Sequence, residues 1–497
     1  MKTNPKSRAT SIYRNQSVSL RAIFDEAKSL RHILCVALDF AKAKHVAMIC
    51  DGKGDVLKAA FPVHNSTEGV AFLCEQIEAS ARRRKIPKKH IFIGGEDEAS
   101  YVENFTTALC DRGYLVVRVN AREAKENREN TLASTDNLDL IGIAKTMLSR
   151  RARVARDPLE SEPAIYRELR GLCRSRRKLI RDETAASNRI HAQVDRLFPG
   201  FLDSSKSGLT AFGPASLHLM SERFSAPEIA RRSPASLTKT LRSQHVHYPE
   251  ETATKLITLA RSALSPDPAR IGAQQRSLST SVELYRCLEN AALDLKVEAA
   301  GLLASTPYVF LTSLPGIGFV LAAGVAGELG DPGKLSSLGG MCAYSGIVPA
   351  TYQSGGPDSP ARTGSTSGRC NHILKDWVVQ SSQKLRQYGP PEWKERFVRW
   401  EAGDQHALFA GARRYLRVLR TLVRQQIPYE TPDARLRNAT REQRAASAEA
   451  TWDVLLKKWR TIPGWQELAF SEGKPLEFWR ELSNSVHGTN LTLPKER

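Results

Sequence analysis

The chain has 497 residues, 41% hydrophobic and 25% charged, a length and balance that suit about three domains, each able to bury its own core. Its 73 Lys and Arg stand against 53 Asp and Glu, and the formal net charge of +20 points to a polyanionic partner, nucleic acid being the simplest. No apolar run of about 18 residues and no signal-peptide core are present, and the 8 cysteines are scattered without CxxC pairs, which together argue against a membrane span, export, a zinc site or a disulfide framework and fit a reducing cytoplasm.

Residues 1–30 are polar and basic and read as a mobile or loosely docked leader. Ile33 to Leu38 is a short apolar run that reads as a buried strand with Asp39 at its exit. His45 to Cys50 and Val56 to Val63 flank the turn signal Asp51-Gly52-Lys53-Gly54, so a three-stranded meander is expected. Val70, Leu73, Cys74 and Ile77 recur at helical spacing. Ile91-Phe92-Ile93 is a fourth strand running through Gly94-Gly95 into Glu96, and Tyr114 to Val119 is a fifth. A helix follows in which Asp136, Asp139, Leu140, Ile143 and Met147 share one stripe, so both aspartates are expected to face the sheet. Singly, each acid has a plain structural reading: Thr135 or Asp136 as an N-cap, Asp139 as a first-turn acid favoured by the helix dipole, Asp39 as a turn residue. Four acids at converging element ends suggest a divalent-cation site made of Asp39, Glu96, Asp136 and Asp139.

Beyond this α/β segment, Pro163 to Phe198 is expected as one continuous helix, because Ile165, Leu169, Leu172, Leu179, Ala186, Ile190 and Leu197 fall on alternating spacings of four and three, interrupted by the polar residues Arg176, Glu183 and Gln193. Its other faces carry Arg167, Arg170, Arg174, Arg177, Lys178 and Arg181. Two readings stand side by side: an ordinary amphipathic bundle helix, and a coiled-coil arm with a nucleic-acid-facing stripe. Residues 200–270 read as short helices and loops, and Leu278, Val282, Tyr285 and Ala292 as a returning helix. Leu314-Pro315-Gly316-Ile317-Gly318, followed by apolar Phe319 to Val325, reads as a helix-hairpin-helix turn whose glycines expose N–H groups to a phosphate. Trp452, Trp459, Trp465 and Trp479 suggest a packed helical appendage at 429–497.

Val36 to His45, Gly94 to Tyr101, Val119-Asn120 and Thr135 to Asp139 resemble the DEDD domain of IS110-family transposases. The chain departs from that family's usual pattern at Asp97 to Ser100, where an Ala-Thr-Gly-His type stretch is common, and at Ser134, where a lysine is usual. Ala343 to Pro349, Gln353-Ser354-Gly355-Gly356, Gly364, Asn371 and Ala412-Arg413-Arg414-Tyr415-Leu416 are similar in order and spacing to the family's C-terminal transposase domain.

The resemblance implies an α/β plus α protein: a ribonuclease H-like (RuvC-like) domain at 31–152, a helical, coiled-coil region at 153–306 and a mostly helical serine transposase domain at 307–428 with the hairpin turn; the helical extension at 429–497 lies beyond the family match. It implies Mg²⁺ or Mn²⁺ on the four acids, and Ser354 as the nucleophile that joins covalently to DNA, with Gly316, Gly318, Gly355 and Gly356 admitting the nucleic-acid backbone. It further implies DNA partners (element ends, donor and target), a noncoding guide RNA, and homodimers that pair into tetramers, with no membrane association, in a bacterial cytoplasm. On composition alone Ser354-Gly355-Gly356-Pro357 is a flexible loop, and Ser345, Ser359, Ser365 and Ser367 compete with Ser354; of these Ser367 matches another family position. Two other functions remain open from the residues: a hydrolytic RuvC-like nuclease, and a non-catalytic nucleic-acid-binding descendant of a transposase.

Overall fold

The computed structural model describes residues 18–96, 102–128, 135–150, 152–159, 162–335, 337–352, 362–366, 370–391, 393–394, 405–431, 433–435 and 437–493. They form two units, residues 1–161 and 162–497.

The first unit is built on a mixed six-stranded sheet in the order β3-β2-β1-β4-β5-β6. Its strands are β1 (Leu34–Asp39), β2 (Lys44–Asp51), β3 (Val56–His64), β4 (Ile91–Glu96), β5 (Leu115–Val119) and β6 (Arg153–Arg156). β1, β4 and β5 run parallel at the centre, β2 and β3 continue the sheet as an antiparallel meander, and β6 closes the other edge antiparallel to β5. Helix α1 (Val18–Glu26) precedes the sheet, and α2 (Thr67–Arg84), α3 (Val102–Asp111), α4 (Ala121–Glu126) and α5 (Asp136–Leu148) follow its strands. The central strands are apolar on both faces because both are covered. Leu34, Val36 and Leu38 pack with Val70, Leu73, Ile77, Phe105 and Leu109 on one side. Cys35 and Ala37 pack with Leu140, Ile143, Ala144 and Met147 on the other.

Two departures from expectation have simple causes. Helix α1 is no loose leader: Leu20, Ile23 and Phe24, spaced three and four apart, are buried in the same core as α5, and that apolar face outweighs the polar composition around it. The sheet also passes the expected boundary at 152, since Arg153–Arg156 pairs with β5. Residues 1–17 lie outside the described residues.

The second unit is helical around two cores. Helices α6 (Ala164–Leu197), α7 (Ser204–Ser207), α8 (Pro214–Ser221), α9 (Ala226–Arg231), α10 (Pro234–Ser243), α11 (Pro249–Ser262) and α12 (Pro268–Ala304) come first. α6 and α12 lie antiparallel: Tyr166, Leu169 and Cys173 share one core with Ala299 to Ala304, whereas Ala186, Ile190, Val194 and Leu197 share the other with Leu278, Val282 and Tyr285. The long helix is therefore partnered within its own chain. Then follow a 3₁₀ segment (Pro307–Ser313), α13 (Phe319–Leu329), α14 (Leu338–Tyr344), the paired strands β7 (Pro349–Tyr352) and β8 (Arg362–Thr366), α15 (His372–Tyr388), α16 (Gln405–Gln425), α17 (Arg441–Trp459), α18 (Trp465–Ala469) and α19 (Pro475–His487). No described helix is long and apolar enough to cross a membrane.

The C-terminal extension is part of the first of these cores. Trp452, Trp459 and Trp479 pack with Phe310, Phe319 and Tyr415. Its Lys458 reaches under the hairpin turn, where the ammonium donates to the carbonyls of Thr312 (2.5 Å), Leu314 (2.8 Å) and Ile317 (2.8 Å). Burial pushes this ammonium down to about 8. Three backbone acceptors then depend on one side chain, and an orphaned buried acceptor costs about 1–3 kcal/mol. Lys458→Met, which keeps the stem and removes the donor, is expected to lower unfolding stability by about 2–4 kcal/mol in chemical denaturation. A change within about 0.5 kcal/mol of zero contradicts this role.

Candidate active site

Asp39 ends β1 and Glu96 ends β4, and these strands are parallel neighbours in a register that pairs Leu38 with Gly95. The next step of that register sets Asp39 beside Glu96, about one strand spacing of 4.8 Å apart along the backbone. Both are half-buried. Gly95 is what allows this closeness: a Cβ there would stand 2.2 Å from the Leu38 carbonyl oxygen and 2.6 Å from the Phe40 ring. Gly94-Gly95 therefore serves strand packing beside the two acids.

The turn after Asp39 is held by His45, a residue that sequence reasoning passed over. His45 is buried, its Nδ1 accepts from the Ala41 N–H at 3.1 Å, and its ring lies edge-on to Phe105 at 4.4 Å and Phe40 at 5.4 Å. Burial lowers the imidazole pKa, so it stays neutral and acts as an acceptor.

Helix α5 brings the other two acids to its first turn. Thr135 is its N-cap, accepting from Leu138 N–H at 3.3 Å, and acids in the first turn suit the positive end of the helix dipole. The expected shared stripe is split in two: Asp136 is exposed, whereas Asp139 is half-buried and ion-paired with Arg128. Arg128 was invisible as a partner because it precedes the helix in a loop after α4. Among the described residues, no three His, Cys, Asp or Glu side chains form a ready-made metal cage. The donor chemistry nonetheless suits a hard divalent cation: carboxylate oxygens, two from adjacent strand ends and two from a helix start packed on β1.

In the second unit the hairpin turn is present, with a 3₁₀ segment of 7 residues in place of its first α-helix. Gly316 has φ +76, in the left-handed region that favours glycine, and a Cβ there would meet the Tyr388 ring at 2.8 Å. Gly318 caps α13 in extended conformation without side-chain capping. Among the described residues, a Cβ on Gly318 would meet nothing within 4 Å, so none of them covers this side of the turn.

Ser354, Gly355 and Gly356 lie outside the described residues, in the segment joining the antiparallel strands β7 and β8. Ser359 and Ser367 also lie outside them, as do Asp97 to Ser100 and Ser134. The flanks of the Ser354 segment are well defined. Glu328 of α13, 3% exposed, accepts a forked pair from Arg174 of α6 at 2.8 and 2.9 Å and a bond from Asn371 Nδ2 at 2.7 Å. Asn371 also bonds the Tyr344 hydroxyl at 3.1 Å, donates its backbone N–H to the Tyr344 carbonyl at 2.9 Å, and caps α15 by accepting from Leu374 N–H at 3.0 Å. Chain segments before and after the β7–β8 hairpin are thereby pinned to one buried carboxylate. Ser345, a competing serine, is buried, and its hydroxyl donates to the Met341 carbonyl at 2.8 Å as a helix-end contact.

These features fall within segments that match known proteins. A family model for DEDD transposases of IS110 elements, described as Transposase, matches residues 36–199, and a second, described as Transposase IS116/IS110/IS902 family, matches residues 309–397. A relative from Streptomyces clavuligerus, the insertion element IS116 uncharacterized 44.8 kDa protein, is 24% identical over 409 residues, which covers 80% of this chain and 96% of its own length. With both matched segments in order along one chain, and the acids and hairpin turn inside them, the chain belongs to the IS110 family of transposases.

Proposed function

We propose that the protein is a DNA recombinase that cuts and rejoins strands through a divalent-metal site on Asp39, Glu96, Asp136 and Asp139 and a serine nucleophile, Ser354. The observation that carries this reading is the seating of Asp39 and Glu96 on adjacent parallel strand ends inside the segment matched to DEDD transposases. Ser354 Oγ bonds to the scissile phosphorus, the bond from phosphorus to the leaving nucleoside oxygen breaks, the serine proton passes to solvent, and the leaving oxygen takes up a proton. Attack by a DNA hydroxyl on the phosphoserine linkage reverses this exchange, restores a phosphodiester and frees the serine. A bound Mg²⁺ or Mn²⁺ supplies positive charge toward phosphate oxygens and eases loss of a hydroxyl proton. The four carboxylates hold that ion, and the Gly316–Gly318 and Gly355–Gly356 backbones admit the DNA strand. The working species is a homodimer that pairs into a tetramer in the bacterial cytoplasm, acting on element ends, donor and target DNA and directed by a noncoding RNA.

A cell-based recombination assay read beside DNA binding separates the chemistry from the scaffold. Asp136→Asn and Ser354→Ala should each fold, keep nucleic-acid affinity within about threefold and lose recombinants by a factor of at least about 10³. Recombination near wild type by Asp136→Asn refutes the four-acid site. DNA cleavage surviving in Ser354→Ala shifts the reading to a hydrolytic RuvC-like nuclease.

Guide RNA is tested separately. Protein expressed together with its flanking DNA should copurify one discrete, nuclease-sensitive RNA; heterogeneous RNA that leaves at moderate salt contradicts a dedicated guide.

A further inference from the structure

Among the described residues, the outer face of α16 carries a row of like charges that nothing above explains. Gln405–Gln425 contains five arginines and no Asp or Glu. Ala412, Tyr415, Leu416, Leu419, Leu422 and Val423 bury its inner face in the first core. Arg413, Arg417, Arg420 and Arg424 then follow at intervals of four, three and four, which at 3.6 residues per turn places them within an arc of about 60° on the opposite side, over about 16 Å of helix. Arg413, Arg417 and Arg424 are exposed, Arg420 is half-buried, and none of the four forms an ion pair among the described residues. Arg420 Nε is buried without a hydrogen-bond partner there.

This face differs from most charged helix faces among the described residues. Surface helices elsewhere set opposite charges four apart, as in Arg21–Asp25, Arg122–Glu126 and Lys255–Glu251. On α6, whose basic residues raised the expectation of a nucleic-acid stripe, Arg170 pairs with Glu162, Arg174 with Glu328 and Arg177 with Asp376. Like charges three and four apart repel, so a merely solvated face gains nothing from four unrelieved arginines. The stripe also begins beside the hairpin flank: the guanidiniums of Arg413 and Arg417 stand near enough to the buried Cys342 of α14 to oppose the rise that burial gives its thiol. From there α14 runs through Ser345 toward β7.

We propose that Arg413, Arg417, Arg420 and Arg424 form a track for the phosphate backbone of duplex DNA, leading toward the β7–β8 hairpin. The four guanidiniums span the axial length over which one DNA strand presents roughly five phosphates. A helix carrying charge on one face suits the wide major groove of B-form DNA and its bordering phosphates, whereas the deep, narrow major groove of A-form RNA excludes it. This inference rests on the reading of the protein as a DNA recombinase.

The test is full-length protein titrated with random-sequence duplex DNA from about 50 to 200 mM KCl, comparing wild type with R413Q/R417Q/R420Q/R424Q. Loss of four phosphate contacts should make the slope of log affinity on log salt shallower by about 3 to 4 and weaken binding at least about tenfold, while the four-lysine variant keeps the wild-type slope. A control on α6, R167Q/K178Q/R181Q, should leave the slope unchanged. If the quadruple variant fails to fold, R417Q/R424Q should still lower the slope by about 2. An unchanged slope in a folded variant overturns the track alone, and so does a loss confined to an RNA duplex of the same sequence. Salt-independent or absent DNA binding by wild type overturns the recombinase reading as well.

Discussion

The second unit is organised around one buried carboxylate. Glu328 receives the Arg174 fork and the Asn371 amide, so one side chain links the long helix α6, the hairpin helix α13 and the start of α15, and through Asn371 it reaches Tyr344. A carboxylate so deeply buried is tolerable only when its charge and lone pairs are met, and breaking such a pair leaves an uncompensated charge worth about 3–5 kcal/mol. The β7–β8 hairpin, with Ser354 in its connection, is inserted between Tyr344 and Asn371. Glu328 thus sets the base from which that connection emerges. Lys458 does the same for the neighbouring hairpin turn: it draws three carbonyls inward, and none of the described residues covers the Gly318 side of the turn.

The first unit rests on a different constraint, the close pairing of two parallel strands. Parallel pairing of β1 with β4 puts two acids side by side at the C-terminal ends of central strands, and glycine at 95 removes the side chain that would push the strands apart. Helix α5 covers β1 with an apolar face and presents its acids at the end where the helix dipole favours them. Asp139 is ion-paired with Arg128.

Much of this was legible locally. The strand runs, the turn at Asp51 to Gly54, the long helix and its returning partner are written in short apolar runs, turn residues and heptad-like spacings, and the structure places their bounds within a residue or two for β1 to β5 and α6. Long-range pairing was not legible. The sequence left open whether the basic residues of α6 form a nucleic-acid-facing stripe, because the acidic partners of Arg174 and Arg177 lie 154 and 199 residues away, at Glu328 and Asp376. Lys458 gave no signal, since its acceptors are backbone atoms more than 140 residues earlier. Arg128 was missed for a related reason: a loop arginine has no periodicity to mark it. The α16 stripe was half visible, as a family-like Ala412 to Leu416 segment, but only burial of its inner face separates its four outer arginines from the rest.

The central claim is covalent: a serine in the β7–β8 connection carries the DNA strand between cutting and rejoining. It is tested most directly by denaturing the protein during reaction with a substrate DNA, digesting with protease and nuclease, and mapping nucleotide-bearing peptides by mass spectrometry. The account predicts a single phosphate-linked peptide with the linkage on Ser354. Cleaved DNA with no linked peptide, or a linkage on a different side chain, contradicts it.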